Sequence, residues 1–170
     1  HRSLSLDMPY FKDRIPTSEN FAHVLWTKLA TQRDIGALHT LRLCEDEDLY
    51  AEVTAADGPD AAAIAKRYSF NAIHENHQGR DWDCYVTVHG TIDPVTGMVT
   101  DIGALDRLVQ DRVIKPFDRQ DLRQVLGSET VRGEVLAKTI WDRLDGYLSG
   151  GTLHNIRLVS ARDLVYEVSP

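Results

Sequence analysis

Two histidines, His74 and His77, flank Glu75 in the run Phe70-Asn71-Ala72-Ile73-His74-Glu75-Asn76-His77. Imidazole and carboxylate are metal-ligating groups, so this run is a candidate metal site. Two histidines without a third ligand also describe a satisfied or solvent-exposed pair. A second concentration of reactive groups is Glu45-Asp46-Glu47-Asp48, four consecutive carboxylates. The two cysteines, Cys44 and Cys84, show no metal-type spacing and give no disulfide framework. None of these groups makes a site unless folded elements bring partners to it.

The whole chain bounds what those elements can be. With 170 residues, 42% of them hydrophobic, there is material for one sizeable core. A net charge of −7 without a basic stripe excludes a nucleic-acid footprint. No apolar run approaches the roughly 20 residues of a membrane span, and no secretory signal is visible. The chain opens with His rather than Met, so a lost signal would not be seen. Free cysteines without a framework fit a reducing compartment, and a cytoplasmic location is expected.

In chain order, residues 1–16 read as an entry loop. Thr17 or Ser18 caps a helix through about Ala30, with Phe21, Ala22, Leu25, Trp26 and Leu29 on its apolar face. Leu38 to Cys44 and Leu49 to Thr54 form a hairpin with the acidic tip between them. Residues 55–66 look like a linker: Gly58-Pro59 breaks structure, and the alanine run suits a short helical turn. Tyr68 to His74 and Trp82 to Thr91 are candidate strands. Asp93-Pro94-Val95-Thr96-Gly97 is turn chemistry. Asp101 is placed to cap a helix carrying Ile102, Leu105, Leu108, Val109, Val113 and Ile114 on one face, which Pro116 should end by pushing Lys115 out of the helical region. After a loop, a further helix from about Thr130 to Tyr147 turns Val135, Leu136, Ile140 and Leu144 inward. Gly150-Gly151 stops it, and Leu153 to Val159 with Leu164 to Val168 form a last hairpin.

The chain also repeats itself. Shifted by 115 positions, residues 18–53 fall on 133–168 without a gap. Glu19 meets Glu134, Ala22 meets Ala137, Trp26 meets Trp141 and Leu29 meets Leu144. Gly36 meets Gly151, Leu38-His39 meets Leu153-His154, and Glu52-Val53 meets Glu167-Val168. One offset shared by a helix, a glycine stop and a hairpin marks a duplicated unit. Residues 1–54 then form the C-terminal half of a first unit, 55–66 a linker, and 67–170 a complete second unit. A tandem protein of this kind carries a further hairpin and helix ahead of His1.

The second unit resembles the 6-pyruvoyl-tetrahydropterin synthase family, which includes the bacterial 6-carboxy-tetrahydropterin synthases. The residues that carry the resemblance are Val86-Thr-Val-His-Gly-Thr-Ile-Asp-Pro-Val-Thr-Gly-Met98 and Lys115-Pro-Phe-Asp118. Leu6-Asp-Met-Pro-Tyr-Phe11 and Pro16-Thr-Ser-Glu-Asn20 add to it from the half unit. It implies an α+β tunnelling fold: a four-stranded antiparallel sheet per unit, two helices on one face, and units joined in a homo-oligomeric ring. It also implies a zinc-dependent lyase acting on 7,8-dihydroneopterin triphosphate, a small-molecule pterin substrate. There, three histidines hold the metal, which acts as a Lewis acid.

Carried over residue by residue, the resemblance is uneven. His74 matches the first zinc histidine, but Gln78 and Arg80 stand where the other two belong, and arginine does not ligate zinc. The loop that would carry the family's cysteine is absent between His74 and Gly79. The catalytic Asp-His pair reads Asp118-Arg119, leaving Asp118 as an acid group or a turn cap, and the pterin-anchoring glutamate falls at Ser160. In the half unit, His1 matches the catalytic histidine. Glu45 matches the pterin-anchoring glutamate, whose carboxylate takes two N–H donors in parallel. Thr17, Ser18 and Glu19 match the segment beside the pterin. The resemblance therefore puts a working site in the first unit, with zinc supplied by an upstream polypeptide half, and gives the second unit an assembly role. A non-catalytic tunnelling-fold module for assembly or purine or pterin binding is the other reading.

Overall fold

A computed structural model describes residues 9–12, 14–32, 34–75, 78–160 and 164–170. After a 3-10 turn at Pro9–Phe11 come α1 (Ser18–Ala30), β1 (Thr40–Cys44), β2 (Leu49–Thr54), β3 (Ala61–Glu75) and β4 (Gln78–Thr91). Then follow α2 (Ile102–Val109), a π-helical turn (Gln110–Ile114), α3 (Lys115–Phe117), α4 (Leu122–Leu126), α5 (Gly133–Leu144), β5 (Thr152–Ser160) and β6 (Val165–Val168). The six strands make one antiparallel sheet in sequence order, β1-β2-β3-β4-β5-β6. The mixed helix and antiparallel-sheet class is the expected one. Its two strands beyond four are β1 and β2.

Alternation along the strands makes the layers. Cys84, Val86 and Val88 on β4, with Ile156 and Leu158 on β5, are fully buried among helix residues Leu105, Val109, Val113, Leu136, Ile140 and Leu144. The intervening residues carry polar pairs instead. Arg42 bonds Glu52 at 2.8 Å, Ser69 bonds Asp83 at 2.6 Å and Asn71 bonds Asp81 at 2.6 Å. Helices therefore cover one face of the sheet, and charge-assisted pairs cover the other.

Three expectations change. Ala61 to Lys66, read as linker with a helical turn, is the start of β3, pairing with β4 from Ala61↔Thr91 onward and with β2 at Glu52↔Ala63. A strand hydrogen-bonded on both sides overrides the helix preference of alanine, and the small side chains fit a crowded sheet centre. Pro116 does not end its helix at Lys115, which keeps helical angles of −55° and −42°. The preceding π-turn lets the Lys115 N–H reach the carbonyl of Gln110, five residues back. This shift re-registers the ladder before the proline, which has no N–H to give. Finally, α5 is shorter than 130–147, and Val135 points outward at 47% exposure while Gly133 and Ala137 face the core. Gly133 lies there because a Cβ would stand 2.2 Å from the Tyr166 ring.

The β2–β3 connection is held down by Asp57. Its carboxylate accepts from the Thr54 N–H at 2.7 Å, the Thr54 hydroxyl at 3.0 Å and the His89 ring at 2.7 Å. Burial alone would raise its pKa, but these donors outweigh burial and hold it below the usual carboxylate range. A carboxylate with a depressed folded pKa stabilises above its unfolded value of about 3.9 and loses that contribution as pH falls through the folded pKa. Asp57→Asn should therefore lower stability at neutral pH and flatten its decline below about pH 4, read from urea midpoints across pH. An unchanged acid limb would refute the role of this clasp. Leu136→Ala, at a fully buried position, should cost about 2–5 kcal/mol in the same assay.

Candidate functional site

The candidate residues of the first unit gather where α1 begins. Thr17 is the N-cap of α1: its Oγ1 accepts from the Asn20 N–H at 3.3 Å and donates to the Gly97 carbonyl at 2.5 Å. That donation ties the helix start to the Asp93–Gly97 turn. The turn is fixed by Asp93, whose Oδ1 accepts the N–H groups of Val95 and Thr96 at 2.8 and 2.7 Å. Those bonds, Thr96 foremost, lower the Asp93 pKa. Gly97 has φ +75°, and a Cβ there would lie 2.9 Å from the Thr17 methyl, so the approach requires glycine. Glu19 adds a second tie. It is buried at 4% exposure, and its Oε1 accepts the Val99 N–H at 3.1 Å.

Ser18, between these two, points elsewhere. Its hydroxyl donates to Glu45 Oε2 at 2.6 Å, joining the helix start to the end of β1. The four carboxylates of the acidic tip are thereby sorted. Asp46 accepts the N–H groups of Asp48 and Leu49 at 2.7 and 2.8 Å and closes the turn. Asp48 accepts from Arg67 Nε of β3 at 2.6 Å, and Glu47 lies 4.0 Å from the same guanidinium. Glu45 instead has a neutral hydroxyl as its partner and is exposed, so its charge remains available to a ligand's donors. The helix N-terminus beside Ser18 adds a favourable field for that anion. Chemically, an exposed carboxylate of this kind can accept two parallel N–H donors.

The other candidates are placed differently. His1 lies outside the described residues, as does His77. Asp118 Oδ1 accepts the Asn71 N–H of β3 at 3.0 Å, and Arg119, with φ 58°, follows it. His74 is buried at 4% exposure, edge-on to the Trp82 ring at 5.3 Å. Among the described residues no three His, Cys, Asp or Glu side chains are grouped to hold a metal ion. Cys84 is fully buried and its thiol pKa is pushed up to about 12, by burial first and Asp83 second, so it is no nucleophile. Ser160, 115 positions after Glu45, is buried and pairs with Trp82 in the ladder. A cleft of about 440 Å³ between α1 and the β2–β3 connection, lined by His23, Trp26, Val53 and Asp57 among others, contains none of the candidate residues. The sequence did not single out Arg67, whose part is to neutralise the acidic tip. Its only signal was a cation just ahead of Tyr68, where the sequence began its strand.

Comparison with known proteins gives a consistent family. The model of the 6-pyruvoyl tetrahydropterin synthase family matches residues 1–56 and 60–170. A 6-pyruvoyl tetrahydrobiopterin synthase from Pongo abelii is 28% identical over 121 residues, 57% of this chain and 83% of that protein. The protein of the same name from Homo sapiens is 27% identical over the same span. The one from Poecilia reticulata is 25% identical over 148 residues, 84% of this chain and 86% of that protein. The structure of Caenorhabditis elegans 6-pyruvoyl tetrahydropterin synthase matches with a TM-score of 0.59 at 17% identity, over 65% of this chain and 96% of that one, a likeness of fold.

Glu19 and Thr17 make structural bonds, and that is testable. Glu19→Ala leaves the Val99 N–H without its partner and should cost about 1–3 kcal/mol. Thr17→Ala removes the cap and the Gly97 bond and should cost about 1–2 kcal/mol. Thermal or urea unfolding reads both. A Glu19→Ala protein as stable as the parent would show that the Glu19–Val99 tie carries no stability.

Proposed function

The chain belongs to the 6-pyruvoyl tetrahydropterin synthase family, and on that premise we propose that it serves a synthase-type lyase acting on 7,8-dihydroneopterin triphosphate, with the pterin held in the first unit. The observation that carries this reading is the Ser18–Glu45 pair at 2.6 Å. Of the four acidic-tip carboxylates, Asp46 is consumed by the turn, Asp48 by Arg67, Glu47 lies 4.0 Å from the same guanidinium, and Glu45 is held by the Ser18 hydroxyl beside the first turn of α1. Its carboxylate accepts the amino and ring N–H of the pterin's pyrimidine edge, and Ser18 fixes its orientation. Relatives named as synthases support the same substrate class.

Among the described residues, the side chains do not gather the three ligands of the zinc that the family resemblance implies. His74 faces Trp82, Gln78 and Arg80 occupy the places of the other ligands, and no metal-binding trio forms among the described residues. No step of the proposal runs through a metal on residues 67–170. That unit has an assembly role, and zinc and the proton-transfer groups belong to the polypeptide that completes the first unit, alongside His1. Arg119 in place of histidine after Asp118 favours the same division. It also keeps a purely binding module as the second reading.

Neopterin titrated into the protein, followed by pterin fluorescence, tests the recognition step. Glu45→Gln should weaken binding about 10- to 100-fold, and Ser18→Ala by roughly two- to ten-fold, because a charge-assisted pair is lost in the first case and only its positioning in the second. Equal affinity of Glu45→Gln and parent would overturn the assignment. Binding without conversion of 7,8-dihydroneopterin triphosphate by the polypeptide as its gene encodes it would favour the binding module.

A further inference from the structure

The cleft of about 440 Å³ between α1 and the β2–β3 connection holds none of the groups assigned to the pterin, yet its lining has the makings of a second site. Its volume falls within the range of small-molecule sites, about 300 to 1,000 Å³. Val53, at 1% exposure, belongs to the core beneath it, and Trp26 and Tyr10 supply aromatic walls. Two polar side chains in this lining are more than nine-tenths buried, His23 at 7% exposure and the Asp57 carboxylate at 8%.

Each of the two keeps one acceptor position to offer. His23 Nε2 lies 2.6 Å from the Ala61 carbonyl. A carbonyl only accepts, so Nε2 carries the ring hydrogen, and Nδ1 of the neutral ring is an acceptor that bonds no described residue. On Asp57, Oδ2 is filled by the Thr54 N–H and hydroxyl, whereas Oδ1 accepts from His89 alone among the described residues and has a second lone pair. The surrounding charges decide what these acceptors suit. Arg14, shared with the exposed Asp60, lines the cleft, and Lys28 lies over the Tyr10 ring at 4.9 Å, so a cationic ligand would meet two cations. An anionic ligand would meet the Asp57 carboxylate. A neutral molecule avoids both, with N–H donors for His23 and Asp57 and a flat ring for the Trp26 indole.

The repeat separates this lining from the construction that the two halves share. Trp26 and Val53 have counterparts in Trp141 and Val168, 115 positions on, so the apolar scaffold is common to both. His23 and Thr27 are replaced there by Lys138 and Asp142, which bond each other at the surface. Asp57 lies in the connection between the halves, outside the repeated span. We propose that this cleft binds a neutral, planar amino-heterocycle of nucleobase size, stacked on Trp26, with its N–H groups donating to His23 Nδ1 and Asp57 Oδ1. The site is separate from the Ser18–Glu45 pair and does not depend on a pterin being bound there. A ligand seated in it touches both α1 and the β2–β3 connection, so its binding stabilises the junction of the two halves.

Adenine titrated into the protein by calorimetry tests this, with benzylamine as a cation and benzoate as an anion of similar size. Adenine should bind best of the three and raise the urea midpoint. Trp26→Leu should weaken adenine binding by at least about ten-fold, the scale of one stacked base. Thr27→Trp, at an exposed position of the lining, should do the same by filling the cleft, and it guards against loss of packing at position 26. Glu45→Gln should leave adenine binding unchanged, which separates a failure here from a failure of the pterin assignment. The proposal is overturned by a parent protein that binds no adenine, by tighter binding of benzylamine or benzoate, by parent affinity in both cleft variants, or by loss of adenine binding in Glu45→Gln.

Discussion

The sheet depends on β3. This strand runs from Ala61 to Glu75 and is hydrogen-bonded to β2 on one side and β4 on the other. It is where the helix–hairpin half joins the remaining four strands in one ladder. Ala62 and Ala65 are fully buried at that junction. A larger side chain would have to displace its neighbours in a close-packed interior. The short β2–β3 connection can cross there because Asp57 gathers Thr54 and His89 onto one carboxylate.

A second connection runs above the sheet. The Asp93–Gly97 turn and the Val99 amide belong to the chain after β4, yet their partners are Thr17 and Glu19 at the start of α1. The helix is thus anchored by its N-terminus to the far side of the junction. Ser18 lies between the two anchoring residues, so its direction toward Glu45 is fixed by bonds that do not involve it. The arrangement of the candidate site therefore follows from the junction. A recognition pair on the end of a strand and the first turn of a helix is held more firmly than one on a free loop.

Much of this was legible in the residues. Alternation gave Leu49–Thr54 as it stands, and Thr17 and Asp101 cap helices as their side chains suggest. Asp118 was legible only as two alternatives, acid group or turn cap, and the bond it makes, to the Asn71 N–H of a distant strand, could not be read from its neighbours. What failed was non-local. Ala61 to Lys66 has no alternation to read, and its strand state comes from two neighbours far along the chain. Pro116 was expected to push Lys115 out of the helical region, yet Lys115 keeps helical angles behind a π-turn that its neighbours do not announce. The acidic tip could not be sorted either, since four adjacent carboxylates look alike until Arg67 and Ser18 are brought to them.

The uneven chemistry of the two halves has a physical reading. The core needs apolar side chains at alternating positions and does not depend on ligands at the strand ends. Ser160 is enclosed beside Trp82 and contributes no carboxylate, and His74 packs edge-on against the same indole, which meets Tyr166 at 6.3 Å. Two of the positions that the resemblance gives to substrate and metal, Ser160 and His74, thus lie against Trp82. Glu45 lies instead at an exposed end of β1, where the Ser18 hydroxyl bonds it.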